Sequence, residues 1–289
     1  MKPVVKLDRV QDTARWAAAA RADESARVDA LFHDRFARDF TGPDMNAMLE
    51  LCRRIGGTWP IVARTVLIDR LLVEATARGA DVVLNLAAGF DTRPYRLVLP
   101  RALVWIDVDH ADVIDERTSR LERENASCVV EQRSLDLSDD SARRALFAEV
   151  GKRFQRLIVI TEGLLYYLEE QAALGLASEL HALRPECWIF DLHNEAVREM
   201  IRKRSGDALR GTAAMRFSPP QGALVFEPLG WKIRSVSSSA KTAGSLGRLP
   251  FWMSLLVRLP SPTYGKPGWP WAGVCAATRS DDPIETTPR

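Results

Sequence analysis

Val82-Val83-Leu84-Asn85-Leu86-Ala87-Ala88-Gly89-Phe90-Asp91-Thr92-Arg93-Pro94 is the stretch from which the fold can be read. Three consecutive apolar residues form a short strand with both faces buried. Small residues then make a turn, and a helix entry follows, a sequence typical of the first strand of an open α/β sheet. Working outward, the same alternation repeats. Apolar strands are predicted at Leu103–Val108, Cys128–Val130, Leu157–Ile160 and Cys187–Phe190. Helices are predicted at Asp112–Glu124, Asp139–Val150 and Glu169–Leu183. Continuous apolar strands alternating with helices imply a parallel sheet covered on both faces.

Upstream, residues 10–57 read as helical, broken at Thr41-Gly42-Pro43. Pro60 opens a further helix that Gly79 closes. Downstream, Trp231–Val236 and Ala272–Ala277 read as two last strands. Between them Ser237–Trp271, rich in Gly, Pro and Ser, is long for a connection and is expected to cover something. The expected organisation is an α/β chain with a Rossmann-like sheet, mostly parallel with an antiparallel last strand. Residues 1–59 form a helical lid or substrate region, and 60–289 a binding domain with a covering insertion near 237–271.

The 289 residues carry a formal net charge of +2, with 46% apolar and 27% charged residues. That balance suits a globular enzyme and gives no concentrated basic face for nucleic acid. The basic residues of Arg198–Arg210 are interrupted by Glu199 and Asp207 and read as a solvated helix face. Cys52, Cys128, Cys187 and Cys275 stand alone, three of them in apolar runs, which implies a reducing compartment and no disulfide framework. The four histidines have no zinc spacing, so no metal is expected. No secretory pattern opens the chain, and the apolar run Phe251–Val257 is too short to span a bilayer. The expectation is a cytoplasmic protein with a small-molecule substrate, no nucleic acid and no membrane. Its oligomeric state is left open.

About twenty residues after the turn, the second strand ends in Asp107-Val108-Asp109. A carboxylate at that place accepts both hydroxyls of a ribose, with Asp109 first and Asp107 second in order. A nicotinamide dinucleotide would fit this much equally well. The turn discriminates. A diphosphate site uses GxGxxG, whereas Phe90 is bulky and Asp91 acidic. S-adenosylmethionine has an ammonium, a carboxylate and a sulfonium but no phosphate, and tolerates acidic neighbours.

The stretch Leu86–Leu97, reading LAAGFDTRPYRL, resembles the signature turn of the leucine carboxyl methyltransferase family, usually LGAGFDTRxxRL. Leu135-Asp136-Leu137, Thr161–Leu168 (TEGLLYYL), Ala63-Arg64-Thr65 and the pattern over Ala14–Ala37 match it too, so the likeness covers about Thr13 to Leu192 and points to the bacterial branch. That resemblance implies a class I methyltransferase fold, S-adenosylmethionine as cofactor and S-adenosylhomocysteine as product, and O-methylation of polyketide or other natural-product intermediates. It also implies roles. Arg64 would pair with the cofactor carboxylate, the Ala87–Gly89 turn would meet the methionine portion, and Asp136 and the Leu137 N–H would hold the adenine. Glu162 would face the ammonium, and Tyr166, at the cleft edge, would be a catalytic candidate that hydrogen-bonds the acceptor. Ala87 departs from the usual glycine, and its backbone is expected to keep a negative φ. His193, taken to lie just past the fifth strand, is the candidate base for a phenolic acceptor; a carboxylate acceptor would need none. Trp252, Trp269 and Trp271 are candidates for an aromatic wall. Methylation of a protein C-terminal carboxylate, and cofactor binding without transfer, are the alternative readings.

Overall fold

The computed structural model describes residues 7, 9–209, 211–260, 263, 264 and 269–280. Residues 1–6 and 8, Arg210, residues 281–289, and 261, 262 and 265–268 of the segment expected to cover something lie outside them. Three helices come first: α1 (Val10–Ser25), α2 (Met45–Ile55) and α3 (Trp59–Ala77). The alternating part follows: β1 (Val82–Leu86), α4 (Arg93–Arg96), β2 (Val104–Asp109), α5 (Ala111–Leu121), β3 (Val129–Ser134), α6 (Asp140–Arg153), β4 (Leu157–Thr161), α7 (Glu170–Leu183), β5 (Cys187–His193) and α8 (Glu195–Ser205). The chain closes with β6 (Trp231–Ser238), two short helices α9 (Ser239–Ser245) and α10 (Phe251–Leu256), and β7 (Ala272–Arg279).

The seven strands lie in the order β3-β2-β1-β4-β5-β7-β6. Pairings from β3 through β5 are parallel, and β7 runs antiparallel to both of its neighbours. This is the mostly parallel α/β sheet that the resemblance implies. The order reverses beside β1, since β2 and β3 build outward on one side and β4 and β5 on the other. Such a reversal opens a crevice at the carboxyl ends of the strands.

Each sheet face buries its own core. Leu84, Leu86, Val159, Trp188 and Phe190 pack with Leu146 of α6 and Leu176 of α7 on one side. Val83, Trp105, Ile158 and Ile189 pack with Ile68 and Leu72 of α3 on the other. Period-2 alternation along fully apolar strands puts both faces in cores, which explains why the strands read as continuous runs. The N-terminal helices sit against the crevice: Ala18, Phe36 and Phe40 pack on Phe90 of the turn and Val113 of α5. Among the described residues no helix is long and apolar enough to cross a membrane.

Candidate active site

The turn after β1 differs from expectation. Ala87 has φ +54°, in the left-handed region, and Gly89 has φ +52°. The chain must reverse sharply here, and its backbone is held while it does so. The Ala88 N–H donates to the Val108 carbonyl (3.1 Å) and the Gly89 N–H to Asp109 Oδ2 (2.7 Å). A non-glycine residue in this region costs about 1–2 kcal/mol, which these fixed contacts sustain. The turn is also held from outside. Arg21 of α1, paired with Asp34 at 2.8 Å, donates from Nη2 to the Phe90 carbonyl (2.6 Å).

The two β2 carboxylates part company. Residues two apart share a strand face, yet Asp107 lies one rung deeper and does not line the crevice. It is fully buried, pairs with Arg117 at 2.5 Å, and accepts from Trp105 Nε1 and Asn85 Nδ2. Its proposed place as second ribose ligand is therefore corrected to that of a core ion pair. Asp109 lines the crevice, each oxygen holding one backbone N–H, of Gly89 and of His110. Burial pushes its carboxyl above the ordinary range despite those two bonds. Asp136 and Leu137 line the same crevice after β3. Asp136 Oδ1 accepts from the Ser138 N–H, and the Leu137 carbonyl takes a bond from Arg143 Nη1 (2.6 Å) that fixes the peptide. The cap of α6 is Asp139, which accepts from the N–H groups of Ser141 and Ala142.

Arg64 and Glu162 meet directly, Nε to Oε1 at 2.8 Å. Arg64 Nη1 also donates to the Tyr166 hydroxyl (2.7 Å) and to Asp191 Oδ2 (3.0 Å). Arg93 reaches Glu162 (2.7 Å), Asp91 (2.6 Å) and Asp69 (2.7 Å), and Arg96 shares Asp69. Burial alone would raise these carboxyls. Against it, Arg93 and Arg64 hold Glu162 below its usual range, and Arg93 leads in bringing Asp91 down to about 2. For Asp191 burial outweighs Arg64, and its carboxyl is pushed up. Asp69, Arg93 and Asp191 were not anticipated. The one available signal was the Asp-Leu-His ending of β5, which puts two polar side chains on one face of an apolar strand.

His193 is the last residue of β5 rather than a residue beyond it, and is 5% exposed. Its ring stacks on Tyr166 with centroids 4.9 Å apart, while Nδ1 lies 3.2 Å from Ser218 Oγ and Nε2 3.2 Å from Met215 Sδ. Burial brings its pKa down to about 4, so the imidazole is neutral at neutral pH.

Arg64, the turn from Ala87 to Asp91, Arg93, Arg96, Asp109, Asp136, Leu137, Glu162, Tyr166, Asp191 and His193 border one cavity of about 830 Å³, and Asp107 and Asp69 do not. The tryptophans that line it are Trp16, Trp59 and Trp252, beside Phe90, Tyr166 and Tyr167. Of the other two tryptophans expected there, Trp271 is buried in the core and Trp269 is exposed. Ser238–Ala240, Pro250, Met253 and Pro270 from the covering insertion also line the cavity. Among the described residues no group of His, Cys, Asp and Glu is arranged to hold a metal ion.

A family model described as leucine carboxyl methyltransferase matches residues 14–181, from α1 to α7. The chain belongs to the leucine carboxyl methyltransferase family. Among its relatives, a Streptomyces avermitilis protein assigned as an S-adenosyl-L-methionine-dependent methyltransferase is 32% identical over 242 residues, covering 78% of this chain and 83% of that one. A Frankia alni protein with the same assignment is 30% identical, covering 77% and 82%. In fold, this leucine carboxyl methyltransferase family member is similar to a solved DUF574 family protein of Streptomyces avermitilis (TM-score 0.59, 10% identity, covering 92% of this chain and 97% of that chain). It is also similar to a structure from Thermobifida fusca assigned as a methyltransferase (TM-score 0.53, 14% identity, covering 92% and 94%). The family match ends before β5, so it includes Arg64, the turn, Asp109, Asp136 and Glu162 and leaves out Asp191 and His193.

Proposed function

We propose that this chain is an S-adenosylmethionine-dependent O-methyltransferase whose acceptor is a phenol or acidic enol of a small, flat molecule. The observation that carries the oxygen chemistry is the neutral, buried His193 at the cavity wall beside Tyr166. The family and the relatives' assignments support the cofactor, and the cavity fits it in charge. Asp69, Asp91, Glu162 and Asp191 face Arg64, Arg93 and Arg96, so the linked cluster has one carboxylate in excess. An ammonium and a sulfonium with one carboxylate carry the opposite excess. Asp109 keeps lone pairs beyond its two backbone bonds for a ribose, and Gly89 leaves room where a Cβ would stand 3.2 Å from Ala14 Cβ.

Bound S-adenosylmethionine supplies a methyl group on a sulfonium, a leaving group already activated. The chain has to align an oxygen, exclude water and take a proton. Arg64 would hold the cofactor carboxylate and Glu162 its ammonium. Residues 1–59 and the 237–271 insertion would act as covers. The two ring nitrogens of His193 face Ser218 Oγ and Met215 Sδ, so the acceptor oxygen would take the place of one of those contacts. As the methyl group is transferred, the acceptor O–H proton would pass to the unprotonated ring nitrogen of His193. With a pKa near 4, that nitrogen lies about 6 units below an ordinary phenol, roughly 8 kcal/mol uphill for full transfer. The proton therefore moves late, and a phenol or enol acidified by a neighbouring carbonyl is favoured.

The test is single-turnover transfer from labelled S-adenosylmethionine to planar phenols and to matched aryl carboxylic acids, followed against pH. On a phenol, His193→Ala should lower the rate by about 10²–10⁴ and leave residual activity that rises with pH. Full activity and a flat profile in His193→Ala and His193→Asn, with the carboxylic acids as the better acceptors, would move the assignment to a carboxyl methyl ester.

A further inference from the structure

The cavity lining divides by charge. Its carboxylates (Asp91, Asp109, Asp136, Glu162 and Asp191) all stand at strand ends or in the loops that follow them. The far part, walled by α2's end, Trp59 and α8, has none. The face that α8 turns to the cavity is Val197, Met200, Ile201 and Arg204, the i, i+3, i+4, i+7 spacing of one helical stripe, apolar until its last member.

Arg204 differs from the other arginines of α8. Arg198 pairs with Glu195 at 2.9 Å and Arg202 with Glu199 at 2.8 Å, each three residues earlier on the helix. The residues three and four before Arg204 are Ile201 and Met200, and among the described residues no carboxylate pairs with it. Its guanidinium is nevertheless placed. Nη1 donates to the Ile55 carbonyl at the end of α2 (3.1 Å) and lies 3.1 Å from where a Cβ on Gly56 would be. A side chain at 56 would crowd it. Arg216, the other arginine of this region, is engaged by Glu169 at 3.3 Å.

We infer that the acceptor carries, besides its methylated oxygen and flat apolar body, a remote anionic group such as a carboxylate, and that Arg204 reads that group. The inference rests on the function proposed above. The oxygen lies at His193, at the N-terminal end of α8, the body lies along Met200 and Ile201, and the anion meets the guanidinium at the far end. Val197 to Arg204 spans about 10 Å of helix, which suits a body of two or three fused rings. Arg204 is exposed, and its planar guanidinium can fork two N–H donors onto a carboxylate.

The experiment is calorimetric titration of the S-adenosylhomocysteine-loaded protein with 6-hydroxy-2-naphthoate and with its neutral counterpart 6-hydroxy-2-naphthamide. Wild type should prefer the naphthoate by about fivefold, the upper end for an exposed bidentate pair. Arg204→Gln should bring the two within about twofold, and Arg204→Lys should keep part of the preference. Arg202→Gln, on the outer face, should keep all of it. In transfer assays Arg204→Gln should raise KM for the naphthoate with little change in kcat. Equal binding of the two probes by wild type, a preference that survives Arg204→Gln, or no binding of either probe by protein that holds S-adenosylhomocysteine would overturn the inference. Failure to bind S-adenosylhomocysteine would instead bring down the proposed function on which it stands.

Discussion

Asp109 Oδ2 accepts the Gly89 N–H at 2.7 Å across a separation of twenty residues, joining the end of β2 to the turn that follows β1. One carboxylate thereby fixes the turn and faces the cavity. Removing it acts on both at once, because the Gly89 N–H loses its acceptor while the cavity loses the carboxylate proposed for a ribose.

Asp109→Ala is expected to weaken S-adenosylhomocysteine by about 1.5–3 kcal/mol, tenfold to over a hundredfold. Asp107→Ala is expected to act on stability instead, since it strands the fully buried Arg117 at a cost of about 3–5 kcal/mol. Calorimetry and urea unfolding on both variants separate the two effects. A larger affinity loss in Asp107→Ala, with stability intact, would reverse the assignment.

Ala87→Gly should stabilise the protein. Relief of the left-handed backbone at φ +54° is worth about 1–2 kcal/mol and the added freedom of the unfolded chain costs about 0.4–1, leaving a gain of about 0–1.6 kcal/mol, centred on about 0.8. Ala87→Val should lose stability, because branching at Cβ worsens the same clash. The urea midpoints of the three proteins check the order, and a Gly variant below wild type contradicts it.

The strands and their order of appearance were readable because both faces of each are apolar, and Asp109 because its distance from the turn is fixed by one strand–helix–strand unit. What lay beyond reading was partner choice. Arg93 is buried with Asp69, Asp91 and Glu162, and nothing local selects Asp69, 24 residues earlier on α3. Asp107 and Asp109 look alike in sequence and differ only in which rung meets Asn85. The sign of φ at Ala87 escaped for a related reason: a methyl side chain argues against the left-handed region, and only the bonds from Ala88 and Gly89 to β2 enforce it.

His193 gives stability a pH dependence. Its folded pKa, about 4, is below the unfolded value of about 6.5, so the unfolded chain binds the proton first. The contribution is fully present above pH 6.5 and is lost as pH falls toward 4, by about 3 kcal/mol in all. His193→Gln should flatten that part of the stability profile between pH 6.5 and 4. An unchanged slope in the variant would show that other groups carry it.

Arg248, in the covering insertion, holds Glu24 of α1 at 2.8 Å and Asp29 at 3.0 Å, and Glu24 is 2% exposed. Arg248→Ala leaves a buried carboxylate with one hydrogen bond, from the Leu31 N–H, and a loose pair with Arg27 at 3.9 Å, and should cost about 3 kcal/mol. The two covers should then separate. Limited proteolysis should cut residues 237–260 sooner, and S-adenosylhomocysteine should leave faster. Wild-type cutting rates would mean the pair does not fasten the covers.

Glu24 and Arg248 stand 224 residues apart. At about 5–20 residues per second, a ribosome releases Arg248 roughly 10–45 s after Glu24. Throughout that interval α1 has no insertion to meet, and the sheet itself is unfinished, since β7 must enter between β5 and β6, both made before it. The nascent chain therefore holds the turn, Asp109 and Glu162 while its cavity still stands open to water. A nascent chain stalled near residue 240 would lack the part of the cavity wall that Trp252 and Met253 supply.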